Sequence, residues 1–265
     1  MELVREAVET VILTGRLVGH APVSLLLVAS PESGKTSVVL EKDCQGILAL
    51  TDVTGRGLQE LCRQRAEVSH FVLNDLIAVG AHKASVSRYT FSMLNAMTEE
   101  GISATATPGG FEKYTGGRRG IIASVPTSIA KDGRNWWNKI GLTSRMLPLA
   151  FKHSIDLNLR IKTAIVNGAS QKNPKPKGEV LTFKIPAEPI RVYIPPVIAS
   201  AVREVAEAVS AKFKEEGYRR VKQFLALASA HVLLRTWKNP RVGKGDVEFL
   251  RKLAPYVSYT TPREI

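Results

Sequence analysis

The segment that follows the first long apolar run constrains this chain more than any other feature. Residues 23–28 form the run, and residues 29–36 then read Ala-Ser-Pro-Glu-Ser-Gly-Lys-Thr. A strand that leads into this pattern and then into a helix is typical of a phosphate-binding loop, GxxxxGK[ST]. Ala29 takes the place of the first glycine, and a residue this small is sterically tolerable there.

Each residue type in the loop has a chemical reason. Gly34 allows the backbone to approach the phosphates, Lys35 is expected to contact the β- and γ-phosphates, and the Thr36 hydroxyl is expected to bind Mg²⁺. We therefore expect ATP and Mg²⁺ as cofactors. The predicted nucleotide-binding residues of the loop are Ser30, Pro31, Glu32, Ser33, Gly34, Lys35, Thr36 and Ser37.

A second polar motif closes another apolar run. Asn74 and Asp75 follow Phe71-Val72-Leu73, and a strand end is where an acid would orient magnesium or polarise water. Asp75 is the metal-side acid in one alignment. In the preferred alignment, Asn74 takes the metal side and Asp75 activates the water. The alternative is an Asx turn that only closes the strand. The predicted metal-site residues are Thr36, Asn74 and Asp75.

The order of apolar patterns predicts the fold class. Strand-like and helical patterns alternate along the first half of the chain, at 46–50, 55–66, 71–73, 84–99 and 121–125. Alternation of this kind predicts an α/β protein with a three-layer core and a parallel sheet. The run at 23–28 is apolar on both faces, which suits a central strand of a covered parallel sheet.

The pattern changes near residue 156. A Pro-Lys-rich run at 174–177 indicates a solvated linker or hairpin tip, and the chain is helical in pattern from 197 onward. We predict an ATPase core over 1–155, a linker or hairpin segment over 156–196, and a small all-α lid over 197–265.

Charge limits the choice of partner. Lys and Arg exceed Asp and Glu by 13, which favours a polyanionic partner such as nucleic acid or an acidic membrane face. The sequence contains no apolar stretch near the roughly 20 residues that span a bilayer. We expect a cytoplasmic protein with no membrane partner. A basic but inert surface is the alternative.

Several segments resemble the AAA+ ATPases and, within them, the mini-chromosome maintenance (MCM) helicases. The resemblance covers most of residues 20–250. It lies in Leu94–Gly101, in Ile122–Pro126 as the sensor-1 strand, in Leu142–Met146 as the Leu-Ser-Arg-Phe motif, and in Arg219–Gln223, Ala228–His231 and Val242–Val247 as the lid. The match implies an AAA+ core with a helical lid, and a minimal motor such as a virus or mobile element would encode.

The same resemblance implies roles for single residues. Arg145 would be an arginine finger that reaches the γ-phosphate held by a neighbouring subunit, and Ser124 is the nearest match to the sensor-1 residue. Arg219 would be the sensor-2 arginine and contact the γ-phosphate in cis, with Arg220 as its competitor. The predicted catalytic residues are then Lys35, Asp75, Arg145 and Arg219. Sites of this kind imply a homo-oligomer, either a hexameric ring or a helical filament.

A Gly- and Thr-rich segment precedes the sensor strand and carries cations. If it forms a hairpin, Lys113, Arg118 and Arg119 would contact DNA phosphates without reading bases, and Phe111 and Tyr114 could stack on bases. A solvated basic loop is an equal alternative. The pair Trp136-Trp137 is interpreted as either a DNA contact or a subunit-interface anchor.

The predicted function is an ATPase that drives a DNA helicase or translocase. The second hypothesis is a DNA-binding regulator, such as a helicase loader or a transposition-type ATPase, that uses ATP as an assembly signal. The third is a P-loop kinase, which would act as a monomer, need no arginine from a neighbour, and show no stimulation by DNA.

Overall fold

We describe the protein from a computed structural model. The description covers residues 2–31, 33, 35, 46–74, 76–102, 104–107, 110–113, 117–131, 137, 141–169 and 184–264. The helices named below are α1 (Glu2–Thr14), α2 (Gly55–Gln64), α3 (Leu76–Ala81), α4 (Ala84–Glu99), α5 (Leu142–Arg145), α6 (Ile155–Ala169), α7 (Pro196–Phe213), α8 (Tyr218–Leu233) and α9 (Lys244–Leu253). The strands are β1 (Ser24–Ala29), β2 (Ile47–Leu50), β3 (His70–Leu73), β4 (Ala104–Thr107), β5 (Gly110–Lys113), β6 (Gly120–Pro126), β7 (Met146–Lys152) and β8 (Arg263–Glu264).

Six strands form one parallel sheet in the order β2-β3-β6-β1-β7-β8. The apolar strand β1 lies in the middle, between β6 and β7. Because the strands are parallel, they all begin at one edge of the sheet, here called the amino edge, and all end at the opposite carboxyl edge. Strands β4 and β5 form a separate antiparallel hairpin, which confirms the hairpin expected before the sensor strand.

Side chains of β1 alternate between two cores because successive residues of a strand point to opposite faces. Leu25 and Leu27 belong to a core that contains α1, α7, α8 and α9. Leu26 and Val28 belong to a second core that contains α2, α3 and α4. Both faces of the sheet are therefore covered, and the predicted three-layer α/β architecture is confirmed.

The predicted lid and the predicted core share apolar packing. Val202 of α7, Phe224 of α8 and Leu250 of α9 are fully buried in the same cluster as α1 and one face of the sheet. The segment after α9 also joins the sheet, since Arg263 pairs with Phe151 of β7. The boundaries of core, linker and lid stay predictions.

Strand β7 and helix α6 are the longest elements that the sequence analysis did not predict. Strand β7 begins directly after Arg145, in a stretch interpreted only as a motif, and helix α6 lies where the linker was expected to start. Pro148 breaks the local strand signal of β7 because proline cannot donate to a ladder. Predicted strands at 23–28, 46–50, 71–73 and 121–125 are confirmed to within about one residue, the usual uncertainty of element ends.

A buried histidine links β3 to the residue before β1 at the amino edge of the sheet. His70 is fully buried in β3, and its Nε2 atom lies 3.2 Å from the Val23 carbonyl oxygen just before β1. Burial lowers the pKa of His70 to about 4, so the ring is neutral at neutral pH and donates through Nε2. Gly120 of β6 is required beside it, because a Cβ there would lie 2.3 Å from the ring Cδ2 atom.

Candidate nucleotide site and arginine cluster

The predicted phosphate loop starts at the carboxyl edge, at the end of β1. The Lys35 ammonium donates to the carbonyl oxygen of Ala29 at 3.1 Å and to that of Ser30 at 2.7 Å. Lys35 and Ser33 are buried, whereas Ser30 and Pro31 are exposed. The lysine charge is therefore held where the central strand of a parallel sheet ends, which is the position where α/β sheets bind ligands. Glu32, Gly34, Thr36 and Ser37 lie outside the described residues.

Two further predicted residues lie on neighbouring strands at this edge. The Ser124 hydroxyl of β6 donates to the Asn74 carbonyl oxygen at 2.6 Å, and Ser124 pairs in register with Leu27 of β1. The side-chain oxygen of Asn74 is buried and has no hydrogen-bond partner among the described residues. A buried amide oxygen without a partner is costly, so it is a place where a ligand would be stabilising. Asp75 lies outside the described residues.

These residues fit a magnesium-bound triphosphate. Asn74 offers an amide oxygen that has no partner among the described residues. An oxygen of this type binds Mg²⁺ directly or accepts a hydrogen bond from a water on the metal. Lys35 offers a positive charge at the end of β1, held by two carbonyl oxygens that phosphate oxygens would outcompete for an ammonium. Asn74, Ser124 and Lys35 are thus brought to one edge, as the sequence predicted.

The predicted arginines meet at the opposite edge. Arg145 and Arg219 each form an ion pair with a different carboxylate oxygen of Glu99. Arg219 also donates to the Ser144 hydroxyl at 2.7 Å, and Arg145 donates to the Gly141 carbonyl oxygen at 2.6 Å. The C-terminal end of α4, helix α5 and the start of α8 are joined in this way into one cluster, here called the arginine cluster: Glu99, Ser144, Arg145 and Arg219.

Glu99 is charged within this cluster. Its partial burial would raise the pKa of the carboxyl, but hydrogen bonds and positive charge from Arg219 and Arg145 outweigh burial and hold the pKa below its ordinary value. Sequence reasoning gave Glu99 no role. A signal was nevertheless present, because an acid in the last turn of a helix opposes the helix dipole and calls for cations from elsewhere in the fold.

Burial distinguishes Arg219 from Arg220. Arg220 is fully buried and donates to the Met146 carbonyl oxygen at 2.8 Å and to the Gln223 side-chain oxygen at 2.9 Å. It also pairs with Glu215 at 3.2 Å. Arg219 has 40% of its side chain exposed, so it is the residue of the two that a ligand can reach.

The two edges are separated by the length of β1. Arg145 immediately precedes Met146, which pairs with Ser24 at the start of β1, whereas Lys35 contacts Ala29 at its end. Five steps along a strand span about 17 Å. The expectation that Arg219 contacts phosphate in cis is therefore not supported, since its partners place it beside Arg145 and away from Lys35.

A cavity opens at the amino edge beside the arginine cluster. Its volume is about 780 Å³, and its lining includes Ser24, Glu99, Arg118, Arg145 and Arg219. Four arginines and Lys222 line this surface together with three glutamates. Cations are therefore in excess, and the surface suits an anion that approaches from outside the protomer.

The predicted DNA-contacting cations separate into different environments. Arg118 is exposed and lines the cavity. Arg119 is buried, and its guanidinium donates to the carbonyl oxygens of Arg65 at 2.7 Å and Cys62 at 3.0 Å. The prediction that Arg119 contacts DNA is corrected, because its side chain is buried and both of its terminal nitrogens donate inside the fold. Lys113 pairs with Ala104 in the hairpin, and its side chain lies outside the described residues.

One tryptophan of the predicted pair is also internal. Trp137 is 6% exposed and packs in the core with α2, α3 and α4, so neither a DNA contact nor an interface anchor describes it. Trp136, Phe111 and Tyr114 have side chains outside the described set. In the described part of the chain, no helix combines the length and the apolar character needed to cross a bilayer.

The comparisons with known proteins bear on the fold. No family model and no curated protein matches the sequence. The full-length MCM homolog from Methanopyrus kandleri aligns over 96% of this chain at 14% identity and a TM-score of 0.50. The active helicase Cch of SCCmec type IV aligns over 98% of this chain at 11% identity and a TM-score of 0.44. This chain spans 55% of the first protein and 49% of the second. The likeness to the MCM homolog is one of fold: a parallel six-stranded sheet with helices on both faces and further helices beside it.

Proposed function

We propose that this protein is an ATP-hydrolysing AAA+ motor that acts on DNA as an oligomer, with each ATP bound between two subunits. A helicase or translocase is the form of motor that we propose first. The observation that carries the proposal is the separation of Lys35 from Arg145 and Arg219. One protomer has its phosphate-binding lysine at the carboxyl edge and its partly exposed Arg145 and Arg219 at the amino edge, so a site with both needs two protomers.

At the carboxyl edge, this chain would bind and orient the triphosphate. Lys35 would exchange its two carbonyl partners for β- and γ-phosphate oxygens. Its positive charge would then offset the negative charge of the γ-phosphoryl group that is transferred. Asn74 would hold the metal side through its free oxygen, with Thr36 as the second proposed ligand. Mg²⁺ neutralises phosphate charge when it is bound. Asp75 is the proposed base that orients the attacking water, and Ser124 fixes the backbone of Asn74 through its 2.6 Å hydrogen bond.

At the amino edge, the arginine cluster would serve the neighbour's nucleotide. Glu99 holds the guanidinium groups of Arg145 and Arg219 side by side on one carboxylate. A γ-phosphate presents several anionic oxygens, so it could replace Glu99 as the shared partner. The two arginines would then stabilise the charge that develops in the transition state, as an arginine finger supplied in trans does.

DNA would contact cations of the hairpin and of the segment that follows it. Hairpin β4–β5 leads into Arg118 at the amino edge, and the excess of 13 positive charges favours a polyanion. Lys113 and Arg118 are the proposed phosphate contacts. Contacts of this type would be sequence-tolerant and sensitive to salt, because they release counterions from the nucleic acid.

The test combines enzymology with mass in solution. We expect the ATPase rate per protomer to rise with protein concentration, the mass to increase when ATP is added, and single- or double-stranded DNA to stimulate the rate. A rate per protomer that is independent of concentration and of DNA would contradict the proposal and favour a P-loop kinase.

A further inference from the structure

The turn that joins α8 to α9 combines exposed cations with exposed aromatic rings. It packs beside an extended segment at 190–194 that precedes α7. Residues 190–194 and 235–245 are here called the lid surface. They belong to other elements of the chain than hairpin β4–β5 and the phosphate loop.

The extended segment has a clear inside and outside. Ile190, Val192 and Ile194 pack against the core that contains the lid helices. Arg191 and Tyr193, which alternate with them, are exposed. Alternation of this kind fixes which side chains face solvent, because a slip of one residue would expose the apolar set.

Hydrogen bonds hold the turn against this segment. The Tyr193 N–H donates to the Pro240 carbonyl oxygen at 3.0 Å, and the Val242 N–H donates to the Tyr193 carbonyl oxygen at 3.0 Å. The Arg241 guanidinium lies over the Tyr193 ring, 5.4 Å from its centroid. The backbone of Asn239 is left-handed, with φ of 48°. These contacts fix the turn in one conformation before any ligand arrives, which lowers the entropy cost of binding.

The charge of the turn is of one sign. Residues 235–245 contain four basic residues and no acidic residue. Arg235 is paired with the buried carboxylate of Asp246. Within the described part of the chain, Lys238, Arg241 and Lys244 are exposed and have no ion pair.

Two aromatic rings accompany these cations. Trp237 is 41% exposed and Tyr193 is 57% exposed. The Trp237 indole N–H donates to the Leu233 carbonyl oxygen at 2.8 Å, which anchors one edge of the ring to the end of α8. An anchored ring that still contacts solvent can stack on an unpaired base with little loss of freedom.

We propose that the lid surface binds single-stranded nucleic acid, with Lys238, Arg241 and Lys244 on the phosphates and Trp237 stacked on a base. Cations alone would suit any polyanion, but cations together with anchored aromatic rings are what single-strand binding requires. This inference shares with the proposed function only the class of partner. It adds a second contact, on the lid, through which movement of the lid helices would act directly on the strand.

The experiment compares two variants that lose the same charge. Lys238→Gln/Arg241→Gln/Lys244→Gln removes three cations from the lid surface. Arg203→Gln/Arg251→Gln/Lys252→Gln removes three exposed cations from α7 and the end of α9, and serves as the control. Binding of a labelled oligo(dT) single strand is measured against salt. We expect the first variant to flatten the slope of log K against log salt by about 2, because each phosphate contact on a single strand contributes about 0.7.

Stacking is tested at Trp237. We expect Trp237→Leu to weaken single-strand binding about tenfold, since a stacked base contributes about 1–3 kcal/mol. Trp237→Phe should retain most of the affinity, and binding to duplex DNA should be the same in both variants.

Each other outcome has a defined meaning. Equal slopes in the two triple variants would overturn the lid contact, and equal binding by the Leu and Phe variants would overturn the stacking. Retention of the protein on anionic vesicles, with no binding to oligo(dT), would overturn the choice of nucleic acid. If Arg118→Gln flattens the slope while the lid variant does not, DNA remains the partner and only the lid surface is excluded. If the wild-type protein binds no DNA at all, the DNA part of the proposed function fails as well.

Discussion

The carboxyl edge and the amino edge of the sheet carry different halves of the proposed site, and they are built in different ways. The phosphate loop of the carboxyl edge is local, because Lys35 contacts carbonyl oxygens five and six residues away. Asn74 and Ser124 join it from β3 and β6. At the amino edge, Glu99 joins Arg145 and Arg219, which are 46 and 120 residues away along the chain. A local motif is enough to predict the loop, whereas the arginine cluster exists only once the helices have packed.

Substitutions at the two edges should have the largest effects, and these effects should differ in kind: one on the rate of hydrolysis and one on ATP binding. Arg145→Ala is expected to lower kcat of the ATPase by about 10³-fold, as loss of an arginine finger does, and to leave ATP affinity of the dilute protomer unchanged. Lys35→Ala should weaken ATP binding itself. Steady-state kinetics and calorimetry measure the two quantities.

Arg203→Ala is the matched control for Arg145→Ala, because Arg203 is exposed on α7 and pairs only with Glu207 among the described residues. Its kcat should equal that of the wild type. If Arg145→Ala abolished ATP binding by the dilute protomer as Lys35→Ala does, the two edges would not be separate parts of the site.

Arg118 and Arg119 are adjacent at the amino edge, and their substitutions should have opposite effects on stability and on DNA binding. Arg119→Leu is expected to lower the free energy of unfolding by about 3 kcal/mol, because the carbonyl oxygens of Arg65 and Cys62 lose their buried donors. Arg118→Leu should change it by less than about 0.5 kcal/mol. In DNA binding, Arg118→Leu should have the larger effect and should flatten the dependence of affinity on salt, whereas Arg119→Leu should not. Chemical denaturation and binding titrations check both, and equal stability losses would contradict the assignment of Arg119 to the interior.

The stability of the protein should depend on pH through the buried His70 at the amino edge. The pKa of His70 is lowered from 6.5 to about 4 by burial. As the pH falls, His70 therefore binds a proton near pH 6.5 in the unfolded chain but stays neutral in the folded protein until about pH 4. Stability is full above that pH, and we expect a loss of about 2 kcal/mol between pH 7 and pH 5. Denaturation at both pH values measures it.

His70→Gln should remove most of this pH-dependent loss, whatever its effect on stability at pH 7. His82→Gln is the control, because His82 is a partly exposed histidine that pairs with Asp52. A loss between pH 7 and pH 5 that is the same in wild type and in His70→Gln would assign the pH dependence to other groups.

Much of the fold could be predicted because its signals are local. The apolar run of β1, the turn residues after it and the period of α4 all lie within short windows of sequence. Strand β7 was missed because Pro148 weakens its strand signal, and because its parallel pairing with β1 joins residues that are far apart in sequence.

The candidate site also contains residues with local sequence signals and residues whose contacts depend on packing. Lys35 and Asn74 were predicted from short motifs after apolar runs, and Ser124 was predicted from the resemblance to the AAA+ ATPases. Sequence could not reveal that Arg119 donates to the carbonyl oxygens of α2 and the residue after it, or that Glu99 gathers two arginines, because both depend on helix packing. Burial alone separates Arg219 from Arg220, and adjacent identical residues carry no local signal of which one faces inward.

The central claim is that each ATP site takes Lys35 from one protomer and Arg145 from the next. The most direct test mixes Lys35→Ala protomers with Arg145→Ala protomers, each inactive alone, and follows the ATPase rate. A pair with Lys35 intact in one subunit and Arg145 intact in its neighbour restores a complete site, so an equal mixture should recover up to about a quarter of the wild-type rate. No recovery at any ratio, with mixed assembly confirmed by mass measurement, would contradict the account.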